Sequence, residues 1–109
     1  MKLSEAERAL VILSVHPQLD EQMVDWLLRY DAGTGFSSFP IRGHSGDHQH
    51  LTVAEQVSGR QKRQRFEIAM DIEAAPEFLR QLVAEFGGSD VHYWVMPILV
   101  SRDLNSERS

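Results

Sequence analysis

The chain has no cysteine. That absence removes disulfides, thiolate zinc sites and cysteine nucleophiles together, and it fits a reducing cytoplasm. Long apolar runs are missing as well. The run near the start, Ala9 to Val15, is short, broken by Ser14 and preceded by acids. A signal peptide carries a longer apolar stretch behind basic residues, and a membrane span needs about twenty apolar residues. A cytoplasmic protein without direct membrane insertion is expected. Positive charge is scarce: 11 Lys and Arg stand against 16 Asp and Glu, a formal net charge of −5. This is the wrong balance for a general nucleic-acid binder, so no nucleic-acid partner is expected. Repeats, linkers and low-complexity tracts are also absent. The 109 residues, 42% hydrophobic and 25% charged, suit one domain over residues 1–100 with a flexible polar tail over 101–109.

What is present has a clear order. Arg8 to Val15 is a strand-length aliphatic run. Pro17 pre-sets a helix, Asp20 and Glu21 suit its positive end, and Leu19, Met23, Trp26, Leu27 and Tyr30 recur at helical steps. Gly35 to Ile41 reads as a second strand, distorted by Pro40. Leu51 to Val57 has no assignable state. From Lys62 to Ile72, the residues Phe66, Ile68, Met70 and Ile72 alternate with charged or small ones, the period of a half-buried strand. Pro76 opens a second helix with the stripe Phe78, Leu79, Leu82, Val83 and Phe86, which Gly87-Gly88 stops. Val91 to Val100 is the last strand. The order β-α-β-β-α-β predicts an α+β, ferredoxin-like domain: a four-stranded antiparallel sheet with two helices on one face.

The first and last strands are apolar on both faces. Leu10 and Ile12 oppose Val11, Leu13 and Val15; Tyr93 and Val95 oppose Trp94, Met96 and Ile98. An antiparallel sheet with one wet face should alternate apolar and polar residues instead. No third helix remains to cover the second face, so self-association is expected. Val11, Leu13, Val15, Trp94 and Met96 are its candidate interface residues.

Two stretches, GHSGDHQHLTVAEQVSGRQKRQRFEI from Gly43 and HYWVMPIL from His92, resemble an uncharacterised proteobacterial family within the PII and CutA superfamily. The resemblance covers about Arg8 to Val100. It implies a PII-like homotrimer, clefts between subunits that bind adenine nucleotides in PII proteins, and a long loop that reports the bound state to a partner. It also implies an encoding beside heavy-metal efflux pumps, hence a membrane transporter as partner. The chain departs from PII proteins in two places. Gly87-Gly88-Ser89-Asp90 stands where PII proteins have a glycine-rich phosphate segment, and a lone Arg102 stands where they have a basic motif. No modifiable tyrosine follows Gly59-Arg60-Gln61-Lys62, so uridylylation is not expected.

Two constellations carry candidate chemistry. His44, His48 and His50 with Asp47 offer borderline ligands suited to zinc, nickel or copper(II), although their spacing matches no known metal motif. A solvated polar loop is the plainer alternative. Arg60, Lys62, Arg63 and Arg65 crowd positive charge into an acidic chain, with Glu55 and Gln56 just before. Arg63 and Arg65 share a strand face and can grip a phosphate or carboxylate, or else form ion pairs with Glu55 or Glu67. Exposed aromatics are missing from this strand, which argues against RNA recognition. The expected function is a trimeric regulator that senses a small effector. The alternatives are a CutA-like metal-tolerance protein and a small ferredoxin-like enzyme, though no nucleophile with a base or phosphate-cradling loop supports the last.

Overall fold

The computed structural model describes residues 6–30, 35–44 and 61–105. Strand β1 (Arg8–Val15) leads through one 3-10 turn into helix α1 (Asp20–Tyr30). Pro17 starts that turn, and His16 caps it: its Nδ1 accepts from the Gln18 amide at 3.1 Å. Strands β2 (Ser37–Gly43) and β3 (Gln61–Asp71) follow, then helix α2 (Ala75–Phe86) and strand β4 (Val91–Ile98). The sheet order is β2-β3-β1-β4 with every pairing antiparallel. The fold is ferredoxin-like α+β, as the alternation and helical stripes predict.

Register decides which face of β1 enters the core. Val11 pairs with Ile68 and Leu13 with Phe66. These side chains point at the helices, and Val11, Leu13 and Val15 are completely buried. The expectation that they line an oligomer interface is therefore corrected: they form the centre of the monomer core. Met23, Trp26 and Leu27 of α1 and Phe78, Leu82 and Phe86 of α2 close over them. Trp26 holds the helix seam, its ring centroid 5.5 Å from Phe78 and 5.6 Å edge-on from Phe86. Each fully buried aliphatic or aromatic side chain contributes about 1.5–3 kcal/mol. Val83, predicted in the stripe of α2, instead faces solvent, 57% exposed.

Helix α2 ends where Gly87 is needed. Its amide closes on Val83 O at 2.8 Å, and a Cβ there would lie 2.6 Å from that oxygen. Gly88 then turns the chain at φ +87°. In the first turn of α2, Glu77 accepts from Arg80 Nε at 2.8 Å and from Gln81. These hydrogen bonds, the Arg80 one foremost, hold its carboxyl at about 2, so a negative charge stays at the helix's positive end.

The helices do not reach across the edge strand β4. Tyr93 and Val95 lie on the helix side of the sheet yet are 42% and 40% exposed. The last strand stops at Ile98, two residues before its predicted end.

Candidate functional site

The face of the sheet away from the helices is built in cross-strand rows. One row joins Met96, Leu10 and Ala69; the next joins Trp94, Ile12 and Glu67; the third joins His92, Ser14, Arg65 and Phe39. Beyond them Arg63 pairs with Ile41, and Gln61 with Gly43. The face thus changes character along the strands. Apart from Glu67, apolar side chains fill one end, and imidazole, hydroxyl and guanidinium groups fill the other.

At the polar end lies a hollow of about 470 Å³. Ser14 and Arg65 on the two central strands form its floor. Ile41 stands on the β2 side, His92 and Trp94 on the β4 side, with His44 and Gln61 at the lip. The His92 and Trp94 rings pack 4.4 Å apart, and the Arg65 guanidinium lies over the Trp94 ring, 5.7 Å from its centre. That stacking is the one partner Arg65 has among the described residues. Its Nε is buried with no hydrogen-bond acceptor among the described residues.

Arg63 plays a different part. It is buried, with Nε donating to Ser14 Oγ at 3.0 Å and Nη2 to Ser14 O at 2.7 Å. Its Nη1 donates to Asp90 Oδ2 at 2.7 Å. The Asp90 carbonyl also accepts from the His16 amide at 3.1 Å. Arg63 therefore ties β3, β1 and the α2–β4 turn into one knot. The expected two-guanidinium grip by Arg63 and Arg65 is corrected, because Arg63 is already occupied, with Asp90 as its carboxylate partner among the described residues. Removing only the carboxylate should cost more than removing the whole pair's cation. Asp90→Ala leaves a buried guanidinium under-compensated and should destabilise the fold by about 2–3 kcal/mol, below the fully buried range because Asp90 is partly solvated. Arg63→Met discards the charge together with its desolvation cost and should lose about 1–2 kcal/mol. Urea denaturation of both variants checks the order.

Lys62 faces the opposite side of β3, beside Pro17, Arg42 and Gln64 in a separate hollow. His44 is exposed at the end of β2. Asp47, His48, His50, Glu55, Gln56 and Arg60 lie outside the described residues. Among the described residues no group of three His, Asp or Glu is arranged to hold a metal ion, and no helix is long and apolar enough to cross a membrane. His92 is a residue of this hollow that the sequence analysis did not single out. Its alternation with Trp94 and Met96 was the signal that it shares their face.

Many solved structures resemble this one, among them the following three. A DUF3240 family protein from Shewanella baltica is 22% identical, with a TM-score of 0.72 over 91% of this chain and 98% of its own. CutA from Synechococcus elongatus, complexed with Bis-Tris, is 12% identical, with a TM-score of 0.67 over 96% and 90%. PII from Arabidopsis thaliana, bound to citrate, is 16% identical, with a TM-score of 0.67 over 97% and 92%. At these identities the likeness is one of fold, the fold of the PII and CutA proteins. No curated protein matches in sequence. Residues 5–104 match the family described as protein of unknown function (DUF3240), and the chain belongs to that family.

Proposed function

We propose that this protein is a PII-like regulator acting in the cytoplasm as a homotrimer. Sister copies close over the apolar end of the open sheet face, and a small effector binds at the polar end. Occupancy changes how the trimer meets a partner, and the family resemblance suggests a membrane transporter such as a heavy-metal efflux pump. The observation that carries the reading is the division of one face into an uncovered apolar half and a cationic hollow. Covering Leu10, Ile12 and Met96 is worth several kcal/mol at about 25 cal/mol per Å². An effector shifts such an assembly only by its differential affinity for the two states.

The effector is read as an anion. Arg65 presents a guanidinium with no acceptor among the described residues, and the polar segment that follows His44 adds Glu55, Gln56 and Arg60 in sequence. The PII relative bound to citrate makes a polycarboxylate a reasonable first ligand. The second reading is a CutA-like metal-holding protein, with zinc, copper(II) or nickel on His44, Asp47, His48 and His50. Its support is that His44 shares a hollow with His92. Calorimetric titration with citrate, ADP, ATP, zinc, copper(II) and nickel separates the two. The anion reading expects heat from citrate or nucleotide that Arg65→Gln abolishes. Heat from metals alone favours the second reading, and silence throughout overturns the effector.

A further inference from the structure

The hollow's chemistry narrows the anion further, and the step rests on the effector site just proposed. Three features of its construction point the same way. First, its charge is unbalanced. Asp90 is the one carboxylate among the described residues that lines it, and Arg63 Nη1 engages that carboxylate at 2.7 Å. Arg65 is left as the guanidinium that no carboxylate lining the hollow engages, which suits an oxyanion. Second, Arg65 is held in place. Its guanidinium rests on the Trp94 ring, so its planar donor fork is presented with little rotamer entropy left to lose. Its Nε is buried with no acceptor among the described residues, so the fork's hydrogen-bonding capacity is not spent within the fold.

Third, aromatic rings stand on one side of the hollow and an aliphatic side chain on the other. Trp94 is 43% exposed, backed by the His92 ring on its own strand, and Ile41 stands on the far strand. From β2 to β4 is three strand spacings, roughly 14 Å, before side chains fill part of it. That span suits a conjugated ring lying along the floor with a carboxylate at one end. We infer that the hollow is a site for a small planar aromatic carboxylate, its ring against Trp94 and His92 and its carboxylate on Arg65.

The test uses the two tryptophans of the chain. Trp94 lines the hollow, whereas Trp26 is 8% exposed in the core, so their indole N–H signals in a proton–nitrogen spectrum report site and fold separately. Benzoate should move the Trp94 signal with a dissociation constant of about a millimolar, as a fragment of its size allows, and leave Trp26 still. Cyclohexanecarboxylate, equal in charge but puckered, and benzamide, equal in ring but neutral, should each bind at least tenfold more weakly. Arg65→Gln should weaken benzoate at least tenfold with the Trp26 signal unmoved. Should that variant lose its fold, Trp94→Leu, read by calorimetry, must weaken benzoate while sparing citrate. Equal binding of benzoate and cyclohexanecarboxylate overturns the aromatic preference and leaves the anion site standing. Silence with benzoate, citrate and phosphate alike overturns both.

Discussion

Truncating Phe78 to alanine should lower the folding free energy by about 3–5 kcal/mol, the range for a buried phenylalanine that leaves a cavity. Phe78 is completely buried, with Tyr30 edge-on at 5.1 Å and Trp26 at 5.5 Å. It also borders a pocket of about 190 Å³, reached from the surface beside Arg8 and Asp71 and lined by Leu27, Tyr30, Ile68 and Met70. Domains of this size are stable by about 5–15 kcal/mol, so the variant would stand near the edge of folding. Val83→Ala, on the exposed side of the same helix, should change stability by no more than about 0.5 kcal/mol. Urea denaturation at one fixed protein concentration compares them, because association shifts apparent stability. A Phe78→Ala loss below about 1 kcal/mol would mean that the helix seam does not carry the core.

Met96→Lys should break the assembly and spare the fold. Met96 is 51% exposed in the single chain, at the apolar end of the open face and opposite Leu10. In an isolated subunit a lysine there reaches water. Between sister copies its ammonium would be desolvated without a partner, at several kcal/mol per subunit. Each 1.4 kcal/mol is tenfold in affinity, so about 4 kcal/mol weakens association by roughly a thousandfold. Sedimentation velocity should show a single folded chain with an unchanged circular-dichroism spectrum. A Met96→Lys protein that sediments like the parent would place the interface elsewhere.

The fold was legible because β3 and both helices carry clean periods, with Phe66, Ile68 and Met70 at alternate positions and Trp26 and Leu27 at helical steps. β1 was not fully legible, for a physical reason. Both of its faces are aliphatic, so composition cannot say which set meets the helices. The answer lies in pairing: Val11 and Leu13 sit opposite Ile68 and Phe66. β2 begins two residues later than expected and runs through Pro40, which an edge strand tolerates. The site was less legible than the fold. Arg63 finds Asp90 across 27 residues of sequence, a contact that only the sheet register creates. Arg65, by contrast, was marked by charge alone, since a cation on the face of an acidic chain's sheet needs a reason to be there. The exposure of Tyr93 and Val95 was invisible in sequence because it depends on how far the helices extend across the sheet.

Multi-angle light scattering of the purified chain at micromolar concentration tests the whole account most directly. Leu10, Ile12 and Met96 form a sheet face that a lone subunit leaves open, and the account predicts a particle of three times the single-chain mass. A stable particle of one chain's mass would contradict it: the open face would then be a solvent-facing surface, with no sister copies for an effector to act on.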